Sequence, residues 1–507
     1  MGRILDSSPL PRTKRRFVTG LVIATCLIGL FLRVYFYAVN RSLWFDEAAL
    51  ARNLVSRSFL DLLEPLESNQ GAPIGFLVLQ KLVISMLGSR DYVLRLIPLL
   101  AGLASVPLMY AVSKQYGGQL SACVSLALFA LSPRLIYYSS ELKQYSTDVL
   151  AALVLLLIVP KCLENKAKPH AFVALGIAGS VAIWLSHPSL FVLAGIALTL
   201  GLVFAVRRDK DRVFWLIGIG AAWVTSLGLL YLVSLRHLES NTDLVNYWSG
   251  SFAPIPSWSN LGWYYDAWIG LLRDPATLPI SAITVGLLIL GIFSFAFRRL
   301  PLMFVLLAPF LLTLIASALG KYPFSGRLLL FLVPLLFLLL AEGVERVWMV
   351  LLRVNRPMAG LVTACLIVYL LWTPIAAAYE NLQSPPLGEE IKPAMSYLSQ
   401  GYQSTDLIYV YIGAEPAFAF YAPVYGFDRN DYIVGVWARN DPGQYLQDVD
   451  RLRGSQRVWF VFSHNCSWCT VNEQDFILEH LNEIGVKTGE LITSGAAVYL
   501  YDLAESP

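Results

Sequence analysis

A polytopic α-helical membrane protein of about eleven spans, with a C-terminal external α/β domain, is the fold class the sequence predicts. Three observations carry that expectation. Of 507 residues, 56% are hydrophobic and only 14% charged. Ordinary soluble domains have about 25% charged residues, so this chain has too little charge to cover a water-facing surface. Apolar runs approaching the roughly 20 residues that cross a bilayer recur as far as residue 375. Beyond Pro374 the composition shifts towards Asp, Glu, Asn and Gly. The net charge of +3 is too small to suggest a nucleic-acid partner.

The first apolar run, 17–39, follows Arg12, Lys14, Arg15 and Arg16 and has no small-residue cleavage site, which predicts a retained signal anchor. Further runs lie at 95–113, 118–138, 147–160, 171–186, 188–206, 213–233, 279–297, 301–319, 327–341 and 359–375. Basic clusters at 12–16, 161–168, 207–212, 298–299 and 346–356 mark the cytoplasmic side. An even number of crossings must therefore separate Arg16 from Lys161. Four runs already supply it, so the extra apolar run at 72–88 is read as an interfacial helix. The N-terminus then lies in the cytoplasm and the tail outside, in a multi-pass cell-membrane protein whose expected setting is a bacterial inner membrane. Residues 1–375 form the membrane core, with an external loop at 40–92, and 376–507 form the external domain. Within the tail, 406–412, 457–462 and 498–501 predict strands. Helical patterns at 389–399, 442–452 and 472–484 alternate with them.

The polar groups with chemical potential gather on the external face. Asp46 and Glu47 follow the first span among aromatics, in Ser42-Leu43-Trp44-Phe45-Asp46-Glu47. Ionisable groups so near a bilayer are costly unless paired, hydrated or used; capping of a surface helix is the bland alternative. In Ser139-Ser140-Glu141-Leu142-Lys143-Gln144-Tyr145, a helix over 141–148 would set Glu141, Gln144, Tyr145 and Asp148 on one face. Arg95 sits at an external helix end, where snorkelling to headgroups is its default role. Arg327 follows Pro323 and Gly326 and opens a span, and its planar fork suits a phosphate. His187, before Pro188, is a helix-end residue or a substrate contact. The aromatics of 234–278, Trp248 and Trp263 among them, read as an interface belt ahead of a sugar-stacking surface. Cys466 and Cys469, spaced Cys-x-x-Cys, favour a small disulfide over free thiols or redox chemistry.

The order of these parts resembles the GT-C superfamily of polytopic glycosyltransferases, in the branch of protein O-mannosyltransferases and lipid A aminoarabinose transferases. The acidic pair of that family's first external loop matches Asp46 and Glu47. Its Arg-Leu-x-Pro motif matches Arg95-Leu96-Ile97-Pro98, and its Ser-x-Glu-x-Arg-x-Tyr motif is approximated by 139–145. The resemblance covers roughly residues 15–345. Two departures stand out: Gly71-Ala72-Pro73 replaces a basic residue before two prolines, and Lys143 stands where Arg is usual. The resemblance implies sugar transfer from a polyprenyl-phosphate-linked donor to a lipid, glycan or protein acceptor, with membrane lipids as the surroundings. Asp46 would be the base, with Glu47 and Glu141 supporting it. Arg327, then Arg95 and Lys143, would hold the phosphate, and Tyr145 and His187 would complete the substrate contacts. No cofactor is required by the spacing, and a divalent cation between carboxylates and phosphate remains an open option. The rival readings are a transporter or flippase of lipid-linked saccharides, and a scaffold or sensor acting through the tail. Transporters commonly show paired halves, and no internal repeat is present.

Overall fold

The computed structural model describes residues 12–236, 242–439, 441–465 and 472–504. Among these, eight helices are long and apolar enough to cross a membrane: Arg15–Val39, Leu96–Tyr116, Tyr145–Leu163, Ser189–Arg207, Lys210–Leu235, Leu300–Ala318, Gly326–Leu351 and Arg356–Gln383. Four shorter apolar helices are Ile74–Leu87, Gln119–Leu131, Pro169–Leu185 and Ala282–Arg298. The last three of these occupy runs expected to span. The run at 118–138 breaks because Pro133, which has no N–H to donate, starts a new helix, Pro133–Tyr138. The run at 327–341 is longer than expected. A 3₁₀ segment, Gly326–Leu332, leads into the helix Val333–Leu351.

Three elements frame the site: α1 (Arg12–Val39), α2 (Phe45–Ser56) and α3 (Ile74–Leu87). α3 is the apolar run at 72–88, and it lies along α2. Lys81 Nζ donates to Leu54 O at 2.8 Å. Close to the start of α3, Gly75 touches the end of the Pro169–Leu185 helix; a Cβ there would stand 2.6 Å from Trp184 O. On one flank of α3 Gln70 reaches Asp46 in the first turn of α2, and on the other Asp91 is tied through Lys392 to Asn40 O, in the loop before α2.

The tail folds as a five-stranded sheet in the order β2-β1-β3-β5-β4. β1 (Leu407–Val410) pairs in parallel with β2 (Ile433–Val434) and with β3 (Val458–Ser463). β5 (Ala496–Asp502) is antiparallel to β3 and to β4 (Val486–Thr493). Strand alternation sorts the residues to two faces. Ile408, Val410, Trp459, Val461, Val498 and Leu500 join the same hydrophobic core as the membrane helices. Tyr409, Phe460, Phe462, Tyr499 and Tyr501 face a second core, together with Tyr445 and Ile477 from the helices Gly443–Asp450 and Glu473–Ile484. One face of the sheet therefore rests on the rest of the chain. Cys466 and Cys469 lie outside the described residues. Cys26, Cys123, Cys162 and Cys365 are free thiols.

Candidate active site

α2 places Asp46 and Glu47 in its first turn, where carboxylates complement the helix dipole. Being consecutive, the two side chains diverge by about 100° around the helix and meet different partners. Glu47 points inward and is fully buried. Arg95 grips it with both prongs, Nε to Oε1 at 2.8 Å and Nη2 to Oε2 at 2.6 Å. Leu142 N–H adds a bond to Oε1 at 2.6 Å. Arg95 spends its remaining donors on Arg41 O (2.7 Å) and Ser42 O (3.1 Å). Burial by itself would raise the Glu47 carboxyl; Arg95 outweighs it and holds the group below its ordinary value.

Asp46 faces the opening. Arg327 Nη2 donates to its Oδ2 at 2.6 Å, and Gln70 Nε2 reaches Oδ1 at 3.5 Å. The Gln70 carbonyl accepts from Lys143 Nζ at 2.6 Å, so Gln70 bridges the second cation to the carboxylate. Burial would raise the Asp46 carboxyl, but Lys143 and Arg327 outweigh it and draw it down to about 2. Burial lowers the Lys143 ammonium, against the pull of Asp46. The guanidinium of Arg327 sits among three rings, 5.3 Å from Trp44, 5.9 Å from Tyr145 and 5.9 Å from Trp248. This box keeps a cation at the mouth of the site, where rings and carboxylate stabilise it together.

Glu141 occupies the floor. The helix expected over 141–148 begins only at Tyr145, so the shared face of Glu141, Gln144, Tyr145 and Asp148 is corrected to a turn followed by a helix. The turn is closed by Lys143 N–H donating to Glu141 O at 2.7 Å. It aims the Glu141 carboxylate inward, where it is buried and neither oxygen has a hydrogen-bond partner among the described residues. Arg41 Nη2 lies 4.0 Å away and donates to Ser140 O, while Nη1 donates to Ser140 Oγ. Burial, then the nearby Glu47 charge, raise the Glu141 carboxyl above its ordinary value.

Asp46, Glu47, Glu141, Arg95, Lys143, Arg327 and Tyr145 thus converge on one site. His187 stands apart at the break between the helices Pro169–Leu185 and Ser189–Arg207. Its Nε2 is buried and unpartnered among the described residues, and desolvation lowers its imidazolium to about 4. Gln70 and Arg41 escaped the reading from sequence. Arg41, one residue before the acidic stretch, was visible in principle; nothing local marks Gln70. Asp46 and Glu47, the carboxylates a divalent cation would use, are each already held by a guanidinium. No three His, Cys, Asp or Glu side chains among the described residues are grouped to hold a metal.

The architecture shares its fold with the solved structures of ArnT and AglB. Residues 71–231 match the model of the family described as dolichyl-phosphate-mannose-protein mannosyltransferase. Among solved structures, ArnT from Cupriavidus metallidurans in the apo state is 15% identical, with a TM-score of 0.55 over 95% of this chain and 98% of its own. The same protein bound to undecaprenyl phosphate is 13% identical, with a TM-score of 0.56 over 95% and 97%. The oligosaccharyltransferase AglB from Archaeoglobus fulgidus, in complex with an inhibitory peptide and a dolichol-phosphate, is 12% identical, with a TM-score of 0.54 over 98% and 75%. A comparison with curated protein sequences found no match.

Proposed function

We propose that this chain is a membrane glycosyltransferase that moves a sugar from a polyprenyl-phosphate-linked donor to a lipid, glycan or protein acceptor at the external membrane face. In this reading residues 1–375 are the catalytic membrane core, with the N-terminus cytoplasmic, and 376–507 are an external domain resting on it. The observation that carries it is the contact of Arg327 with Asp46 at 2.6 Å, with Lys143 joined through Gln70. A base and a pair of cations stand within one hydrogen-bonded cluster, which is the arrangement displacement of a phosphate requires. ArnT with undecaprenyl phosphate and AglB with a dolichol-phosphate make a polyprenyl phosphate the natural leaving group to propose.

In the proposed reaction the acceptor oxygen forms a bond to the anomeric carbon while the bond from that carbon to the phosphate oxygen breaks. The electron pair passes to the phosphate, where Arg327 and Lys143 stabilise it, and the acceptor proton passes to Asp46. A carboxylate drawn down to about 2 is a weak base. The arriving phosphate competes for the same two cations, and its own negative charge raises Asp46 towards working strength. Donor binding thereby makes the base. Glu47 and Arg95 enter as the buried pair that fixes α2, Glu141 as a carboxyl behind the acceptor, and Tyr145 as part of the ring box. His187 is a candidate contact for the sugar.

Purified protein in detergent, given a polyprenyl-phosphate-linked sugar and a mixed acceptor pool, should release polyprenyl phosphate, detected by mass spectrometry. Release by wild type that persists in Asp46→Asn would refute the assignment of the base.

A further inference from the structure

The helix that carries Asp46 does not cap itself. Ser, Thr, Asp or Asn at the N-cap would satisfy its first free N–H groups, but the N-cap is Trp44, whose side chain makes no cap bond. Two carboxylates more than three hundred residues away hold its start instead, one at the first helical N–H and one at Ser42, just ahead of it. Phe45 N–H donates to Glu389 Oε2 at 3.0 Å. Ser42 N–H and Ser42 Oγ donate to Glu390 Oε1 and Oε2 at 2.8 and 3.0 Å. The other oxygen of Glu389 meets His464 Nδ1 at 2.6 Å, and the His464 ring stacks on Phe45 with centroids 4.4 Å apart. Next to them, Leu43 N–H donates to the Tyr421 hydroxyl, which donates to Asp91. Lys392 ties Asp91 Oδ2 (2.9 Å) to Asn40 O (2.7 Å). Farther along α2, Arg52 pairs with Glu415 at 2.7 Å.

We propose that Glu389 and Glu390 are positioning residues for the transfer reaction, setting the place of Asp46 against Arg327 from the C-terminal domain. The proposal rests on the reading of Asp46 as base. Each carboxylate accepts from backbone within four residues of Asp46, and neither touches the groups that face the phosphate. Arg327 and Lys143 come from other parts of the chain, so the cations that hold the donor phosphate stay in place without the clamp, and loosening Asp46 from them does not weaken donor binding. The geometry of proton removal does. Misplacing a reacting group by about 1 Å costs on the order of a hundredfold in rate.

The test compares Glu389→Ala/Glu390→Ala with Glu389→Gln/Glu390→Gln in the full-length purified protein. The amides keep an acceptor oxygen for each backbone N–H; alanine keeps none. The alanine pair should lower kcat by about ten- to a hundredfold with donor KM no more than about threefold above wild type. The glutamine pair should recover most of that rate. The fraction of molecules binding polyprenyl phosphate normalises each rate to folded protein, so partial unfolding is not mistaken for misplacement. Wild-type kcat in the alanine pair, or glutamine variants as slow as alanine, would overturn the proposal. Asp46→Asn assayed alongside keeps the two ideas separable. Activity in that variant removes the base, whereas its inactivity beside a fully active alanine pair removes only the clamp.

Discussion

Asp46→Asn should bind polyprenyl phosphate more tightly than wild type while losing turnover. Without substrate, the Asp46 carboxylate acts as a counter-ion for Arg327 and, through Gln70, for Lys143. Both members of the Arg327–Asp46 pair are less than a fifth exposed, so solvent screens it only partly. The fall of the Asp46 carboxyl from 3.8 to about 2 is worth about 2 kcal/mol of net attraction. A phosphate entering the site must compete against that attraction. Asn preserves the size and the hydrogen-bonding oxygen but removes the charge, so the two cations meet the phosphate undivided. The expected gain is at most about 2 kcal/mol, or on the order of tenfold or somewhat more in affinity. Titration followed by tryptophan fluorescence reads it directly, since Trp44 and Trp248 flank the Arg327 guanidinium. Transfer should fall by about two to four orders of magnitude, the usual worth of a positioned base. Equal or weaker phosphate binding in Asp46→Asn would show that the carboxylate and the phosphate do not share these cations.

Arg327→Ala should cost about 1.5–3 kcal/mol of phosphate binding, with Arg327→Lys recovering only part because a point charge cannot make the two-pronged contact; unchanged affinity in the alanine variant would return Arg327 to a structural role. Glu47→Gln leaves the buried Arg95 without its charge partner and should destabilise the fold by about 3–5 kcal/mol, read as a lowered Tm; an unchanged Tm would mean the pair does not hold α2. Glu141 has a raised carboxyl, so the folded protein binds more protons there than the unfolded chain, and its contribution to stability falls as pH rises from the ordinary glutamate value upward. Glu141→Gln should therefore gain Tm relative to wild type at pH 8 and gain nothing near pH 4.5, and the reverse order would contradict the sign. For topology, cysteines placed at the exposed positions Ser68, Ser257 and Ser404 of a cysteine-free variant should react with an impermeant thiol reagent in intact cells, and those at Asn165 and Asp211 only after permeabilisation. Labelling of Ser68 and Asn165 from the same side would break the orientation.

What the sequence made legible was the identity of the charged groups, because adjacent carboxylates beside an apolar run are locally conspicuous. The pairing of those groups was not. Arg95 and Arg327 both stand at helix ends in the sequence, and both enter as candidates for a phosphate, Arg327 ahead of Arg95. Only the fold turns one onto Glu47 and two backbone carbonyls, leaving the other at the mouth beside Asp46. The same limit explains the missed strands. β2 has two residues, and β4 follows a helix with one intervening glycine and carries a register shift at Lys487/Gly489, so neither presents a clean alternation. A boundary error of two residues mattered most. The periodic pattern runs on from Glu389, but the helix starts at Ile391. That difference frees Glu389 and Glu390 to point away from the helix and reach the backbone of Ser42 and Phe45. Helix ends are where local propensity is weakest and long-range partners decide. In this chain the undecided ends also lie at the site: the start of α2, the turn before Tyr145, the approach to Ile391 and the 3₁₀ segment that opens with Gly326 and Arg327. Charged side chains at such ends are free to answer to distant backbone or to a ligand, so the residues hardest to place from sequence are those on which the proposed chemistry depends.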